Sequence, residues 1–303
     1  MSDILIFGAG AVGQYIGGLM TRAGNHRITL AGKAEHYDAI RQGGLNIKLP
    51  RGDEYLNKIN YLTSARNIPQ QDTFDWIFLT VKGYDLKEAV IELKKVIKRS
   101  RDVRFVLFQR GVTFHRQLYR VIPDERLFAA SLTNNVAIFS PGTVTQVNQG
   151  GALCLSPLDS REKIDSLAKL FDGTGLKIKK YKNWKSMKWS ASLFEMLTDG
   201  FCAMGDYTPD KELSFSALYN LEMEAFNEAW NVARKNKVKI VNLPGYNPRR
   251  IRFLSSWLPG LIGQPLLTRY LTSKKHTRVP TIKNDMEKGK TSSEILFING
   301  GFA

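Results

Sequence analysis

The hydrophobic pattern of the chain opens with Ile4-Leu5-Ile6-Phe7, runs into Gly8-Ala9-Gly10-Ala11-Val12-Gly13, and then continues with apolar positions at helical spacing. That succession predicts a strand, a tight turn and a helix. His26 to Leu30 reads as a second strand, and residues 34–43 as a helix closed by Gly43-Gly44. Leu45 to Leu49 and Asn60 to Leu62 alternate on either side of a charged turn, which predicts a strand pair. Trp76 to Val81 and Phe105 to Phe108 are continuous apolar runs, the pattern of strands buried on both faces, and a helix over 85–98 separates them. A helix is expected after Gly111. Leu127 to Phe139 and Thr143 to Leu155 read as two more strands joined by a turn at Ser140-Pro141-Gly142. A helix from about Arg161 to Leu170 and a strand at Leu176 to Ile178 complete this half.

From Trp184 the period is helical, with long helices expected over 184–204 and 211–236. Pro244, Pro248, Pro259 and Pro265 cut the remainder into shorter pieces. Strands alternating with helices, followed by helices alone, predict an α/β chain. Its N-terminal half is a Rossmann-type doubly wound sheet, residues 1–180, and its C-terminal half an all-helical domain, residues 181–303, with basic Lys179 to Asn183 as the linker.

Composition narrows the function. With 303 residues, 43% hydrophobic and 24% charged, the chain fills two cores, which excludes disorder as its main state. The formal charge of +16 raises nucleic acid as a partner, but the cations are scattered and form no recognisable nucleic-acid module. A solvated basic surface that attracts an anionic cofactor accounts for them. Cys154 and Cys202 lie far apart, and His26, His36, His115 and His276 are dispersed, so neither a disulfide framework nor a metal site is expected. Met1-Ser2-Asp3 leads straight into the first strand without a basic leader, and the apolar segment Phe253 to Leu271 is broken by prolines, glycines and Arg269. A cytoplasmic protein with no membrane partner is expected.

The glycine spacing is that of a dinucleotide site. Gly8 permits the turn, Gly10 lets backbone amides reach a pyrophosphate, Gly13 brings helix against strand, and Ala11 and Val12 lie in the first helical turn. At the end of the second strand, where a carboxylate would select NAD, stands Lys33, placed to meet the 2′-phosphate of NADP. A solvated surface lysine is the competing reading. Lys82, Gln109 and Arg110 follow the carboxyl ends of buried strands, the edge where ligands sit in such sheets.

Separated stretches in matching order resemble the ketopantoate reductase (2-dehydropantoate 2-reductase) family over nearly the whole chain. They are Gly8 to Gly13, Thr80 to Asp85, Gln109-Arg110-Gly111, Ser140 to Val144, Met187 to Ser190 and Ser293 to Gly300. The resemblance implies an NADP-binding domain, a helical second domain, a substrate cleft between them and reduction of a 2-oxo acid in pantothenate biosynthesis. It leaves room for a homodimer. It also implies a lysine general acid and a glutamate on the substrate hydroxyls, and Glu294 matches that glutamate. Thr281 replaces a small hydroxyl residue of the substrate site.

The catalytic helix departs from the pattern. Aligned through Lys188-Trp189-Ser190, Ala191 stands at the family's lysine, and Glu195 and Asp199 replace two substrate-site asparagines. Arg110 replaces the asparagine of Gln-Asn-Gly. Alanine cannot transfer a proton, so Lys188, about one turn earlier, becomes the candidate acid. An alternative register puts Lys188 itself at the catalytic position and forfeits the Trp189-Ser190 match. Its plain reading is a solvated or ion-paired helix lysine. Glu195 and Asp199, expected at i, i+4 on one helix, are mildly unfavourable unless a cation sits there, and Arg110 is the candidate, bridging from the Rossmann domain to Glu195 or Asp199; three ordinary surface charges are the competing reading. Catalytic impairment of a cofactor-binding protein is the other function this pattern allows.

Overall fold

A computed structural model describes the chain except residues 115–117, 119–120, 160, 258–259, 276–280 and 288, and leaves the side chains of 260–261, 273–275, 281 and 284 undescribed. It divides into two compact units: Met1–Gln109 with His115–Trp184, and Arg110–Phe114 with Lys185–Ala303.

The first unit begins β1 (Asp3–Phe7), α1 (Ala11–Ala23), β2 (Arg27–Ala31) and α2 (Ala34–Gly43). β3 (Leu45–Lys48), β4 (Glu54–Leu56), β5 (Asn60–Leu62), β6 (Trp76–Leu79), α3 (Leu86–Arg99) and β7 (Arg104–Leu107) follow. It ends β8 (Leu127–Leu132), β9 (Val136–Ser140), β10 (Thr143–Gln146), β11 (Leu153–Pro157), α4 (Asp165–Lys169) and β12 (Ile178–Lys180). Eight strands form one sheet in the order β12-β11-β8-β7-β6-β1-β2-β5. From β5 to β8 every neighbouring pair is parallel, while β11 runs antiparallel to β8. The strand order reverses between β1 and β6, and the ends of those two strands are where a doubly wound sheet offers a crevice.

The apolar spacing of the sequence explains these elements. β6 is buried at all four positions, as a strand covered on both faces must be. α3 buries Leu86, Ala89, Val90, Leu93 and Val96, one stripe at helical spacing, and exposes its lysines. α1 packs against both β2 in the large sheet and β3, β9 and β10 in a four-stranded sheet ordered β4-β3-β10-β9. Two mid-helix glycines make that fit. A Cβ on Gly17 would stand 2.5 Å from Leu30 Cδ2, and one on Gly18 2.5 Å from Ile47 Cδ1.

Several expectations are corrected. β3 and β5 do not pair: β3 closes a hairpin with β4 around the charged turn, while β5 adds to β2, Asn60 Nδ2 donating to Thr29 Oγ1 at 2.8 Å. Each long strand reading between Leu127 and Leu155 splits across the two sheets. β9 and β10 form the hairpin at Pro141-Gly142, and β8 and β11 pair in the large sheet. The helix expected from Arg161 is only α4, and the last strand lies later, so Lys179 and Lys180 belong to β12 and not to a linker. The helix expected after Gly111 falls largely on residues outside the described set.

The second unit contains α5 (Trp184–Glu195, its first residue grouped with the first unit), α6 (Asp199–Gly205), α7 (Pro209–Ser214) and α8 (Ser216–Lys235). α9 (Pro248–Trp257), α10 (Gly260–Lys275), α11 (Thr281–Glu287) and α12 (Ile295–Ile298) complete it. The expected single helix over 184–204 is broken between α5 and α6, where Thr198 has φ 66° and its amide donates to Glu222 Oε1 at 2.9 Å. Pro265 lies inside α10 and does not end it.

Candidate functional site

In the first unit the turn between β1 and α1 is built by backbone geometry. Gly8 has φ +112°, and a Cβ there would fall 2.5 Å from the Val81 amide nitrogen. A Cβ on Gly13 would fall 2.4 Å from the Gly8 carbonyl oxygen, so β1, α1 and the end of β6 meet at a distance only glycine allows. Thr80 Oγ1 donates to the Gly8 carbonyl at 2.8 Å, and Gln14 Nε2 to the Ala9 carbonyl at 2.8 Å. Gly10 differs. A Cβ on it would meet nothing within 4 Å, so no packing within the protein demands glycine there. The first helical bond is donated by Gln14 to Gly10, and no side chain caps the helix. The amides of Ala11, Val12 and Gly13 therefore have no intrahelical acceptor and form a ready place for an anion. These features fit a dinucleotide's diphosphate.

Around the turn, Lys33 is exposed at the N-cap of α2, where Tyr61 Oη donates to its carbonyl at 3.1 Å. Lys82 is half-buried and precedes a single 3₁₀ turn, Gly83–Asp85. Gln109 is buried, its Nε2 donating to the carbonyls of Leu79 at 2.9 Å and Val81 at 3.0 Å. It ties the carboxyl ends of β6 and β7 together. Thr80 and Gln14, which brace the turn, went unrecognised in the sequence; the hydroxyl closing an otherwise apolar run was the available signal.

The second unit gathers charge. Arg110 Nε lies 3.3 Å from Glu195 Oε2, and its two terminal nitrogens lie 3.6 Å from Asp199 Oδ2 and 3.7 Å from Glu294 Oε2. Gly111 makes this placement possible. It has φ +90°, and a Cβ there would stand 2.0 Å from the Phe297 carbonyl oxygen, so the Arg110–Phe114 segment lies directly against α12, just after Glu294. Burial works to lower the Arg110 pKa, but the charges of Glu195, Asp199 and Glu294, with Tyr246, outweigh it and hold the group above its ordinary value. The bridge expected from Arg110 to Glu195 or Asp199 reaches both, with a third carboxylate added, but it does not come from the nucleotide half, because Arg110–Phe114 groups with the second unit. Glu195 and Asp199 sit on successive helices and not on one, a correction that follows from the Thr198 break.

Lys188 is 2% exposed, with Nζ 4.7 Å from the centroid of the Phe114 ring, a cation–π contact. Of the two readings, solvated or ion-paired, burial overturns the solvated one. Lys188, Ala191 and Glu195 follow at i, i+3 and i+7, so all three share one face of α5, and all are buried. Phe114 had no signal in the sequence. Thr281 opens α11, but its side chain lies outside the described set. Among the described residues no cluster of His, Cys, Asp or Glu suits a metal ion.

A doubly wound sheet with a glycine turn at its strand reversal, joined to a helical unit, defines a dinucleotide-binding class of fold. The ketopantoate reductase PanE/ApbA model matches residues 4–160. A 2-dehydropantoate 2-reductase from Pyrococcus horikoshii is 25% identical over 237 residues, covering 78% of this chain and 75% of that protein. One from Lactococcus lactis is 22% identical over 98% of this chain and 89% of its own. A PanE/ApbA family ketopantoate reductase from Ralstonia eutropha superposes with TM-score 0.79 at 21% identity, covering 99% of this chain and 90% of that one. A D-mandelate dehydrogenase solved with NADH and anilino(oxo)acetate gives TM-score 0.79 at 19% identity, with the same coverage of 99% and 90%. The chain belongs to the ketopantoate reductase PanE/ApbA family.

Proposed function

We propose that this chain is an NADP(H)-dependent oxidoreductase of the 2-dehydropantoate 2-reductase type, reducing a small 2-oxo acid in the cytoplasm. One observation carries the reading: at the reversal of strand order, tightly packed Gly8 and Gly13 flank a Gly10 whose missing side chain leaves open space. In this reading residues 1–180 are the nucleotide domain and residues 181–303 the substrate domain. The amides of Ala11, Val12 and Gly13 receive the diphosphate, Lys33 pairs with the 2′-phosphate, and Lys82, Gln109 and Arg110 serve the nicotinamide end. The nicotinamide, when bound, supplies a hydride.

The protein's share is binding and proton delivery. Lys188, shielded from water, donates the proton to the carbonyl oxygen of the substrate. Glu294 accepts from substrate hydroxyls, and Glu195, Asp199 and Thr281 complete the substrate site. Arg110 holds the three carboxylates by charge, one guanidinium nitrogen toward each at 3.3 to 3.7 Å. The test is a fluorescence titration with NADPH and NADH beside a steady-state assay on a panel of 2-oxo acids. NADPH is expected to bind more tightly, and Lys33→Ala to erase the preference; a preference of the native chain for NADH overturns the role of Lys33.

A second reading, a cofactor-binding protein without turnover, is favoured by buried Ala191 at the position of the family's lysine. Tight NADPH binding with no turnover on any 2-oxo acid selects it. Reductase activity created by Ala191→Lys then assigns the loss to the missing acid.

A further inference from the structure

The helices late in the chain distribute charge unlike the rest. Between Glu228 and Asp285 the sequence holds twelve lysines and arginines and no aspartate or glutamate. α9 and α10 lie in this stretch and pack on each other. Each buries one face, through Ile251 and Leu254 in α9 and Leu267 and Leu271 in α10. Their outer faces are not simply polar. On α9, Arg250, Phe253 and Trp257 are exposed at i, i+3 and i+7, Trp257 to 77%. On α10, Ile262, Leu266 and Arg269 are exposed at i, i+4 and i+7. The Arg250 guanidinium stacks 4.8 Å from the centroid of the Tyr270 ring, so a cation on α9 is held against a side chain of α10.

A single exposed aromatic needs no explanation, but four large apolar side chains on two packed helices within an acid-free stretch do. From this pairing of charge with apolar exposure we infer that α9 and α10 dock on the surface of an anionic lipid bilayer. Phe253, Trp257, Ile262 and Leu266 enter the headgroup layer while Arg250 and Arg269 meet lipid phosphates. Among the described residues no helix is long and apolar enough to cross a membrane, so the contact is one of lying on the surface. It departs from the sequence expectation of no membrane partner and is independent of the proposed chemistry. A second copy of this chain fits less well, because two acid-free faces repel. Nucleic acid would meet the cations but gain little from Ile262 and Leu266.

The test is co-sedimentation of the full chain with phosphatidylcholine vesicles and with vesicles of phosphatidylcholine and phosphatidylglycerol. Binding is expected only to the second, weakening with salt and accompanied by a blue shift of tryptophan emission. Phe253→Ser with Trp257→Ser should lower the partition coefficient by more than about tenfold. Arg250→Gln and Arg269→Gln should each lower it about fivefold. Phe139→Ser, which removes an exposed aromatic from the first unit, should leave it unchanged. Equal binding to both vesicles, or binding indifferent to the α9 and α10 substitutions, overturns the proposal. Absence of vesicle binding also overturns it. An oligonucleotide bound in a salt-sensitive way would then name the other partner, and self-association abolished by the double substitution would name a second copy.

Discussion

The glycine turn of the first unit and the Arg110 cluster of the second both manage negative charge, by opposite means. The turn contains no charged side chain: its electropositive character comes from the first-turn amides of α1, with Gly10 opening on empty space. The cluster already contains its anions, Glu195, Asp199 and Glu294, each within 4 Å of one guanidinium. A backbone site of this kind is complete without its ligand and costs little to keep empty. A buried ionic site depends on every member, because removing one partner strands the others in a medium that solvates them poorly.

That contrast is tested most sharply by Arg110→Met. Removing the guanidinium that lies within 4 Å of three buried carboxylates should cost about 3–5 kcal/mol of stability at neutral pH, read by denaturant unfolding. Arg110→Lys, which keeps a cation there, should recover part of that loss. No recovery with lysine would assign Arg110 a packing role instead. In the first unit the comparable break is steric. Gly8→Ala must place a Cβ 2.5 Å from the Val81 nitrogen at a φ of +112°, and should cost about 3–5 kcal/mol along with nucleotide binding. Gly10→Ala should leave stability within about 0.5 kcal/mol while weakening NADPH binding. Equal stability losses at Gly8 and Gly10 would refute the distinction between them.

The two sites were unequally legible in the sequence. Three glycines, an apolar run before them and a helical period after them specify the turn because each has a local cause. The split of Leu127 to Phe139 and Thr143 to Leu155 between two sheets was hidden, since partner choice is set by distant strands. Thr198 at positive φ was hidden as well, because threonine is a poor residue for that conformation and its hydrogen bond to Glu222 comes from another helix. The Arg110 bridge could be anticipated from Glu195 and Asp199, two like charges in need of a cation. The part played by Gly111, which lets Arg110 lie beside Glu294, could not.

A smaller effect separates neutral from ionised groups within the first unit. Burial pushes the Tyr15 hydroxyl up to about 12 from an ordinary 10, and the group donates to Gln146 Oε1 at 2.6 Å. The folded state thus holds this proton where the unfolded chain has lost it. Stability from this group is intact below pH 10 and declines as pH rises from about 10 to about 12, by about 2–3 kcal/mol. Tyr15→Phe should flatten the alkaline limb of the stability profile by that amount. An unchanged limb would place the titration elsewhere.

A smaller loss than that at Tyr15 is expected at Gln109, which holds the edge of the sheet without charge. Its Nε2 donates to two carbonyls of one segment, Leu79 at the end of β6 and Val81 just beyond it, and Thr80 between them braces the glycine turn. Gln109→Leu keeps the volume but leaves both carbonyls without that donor, so stability should fall by about 1–2 kcal/mol. NADPH binding should weaken beyond what the stability loss explains, because Thr80 loses its fixed position beside Gly8. In Arg110→Met the order is reversed: stability falls by far more, while NADPH affinity changes less than in Gly8→Ala. If Gln109→Leu lowered stability and left NADPH affinity untouched, the turn would be rigid on its own, and the edge of the sheet would owe Gln109 nothing but its packing.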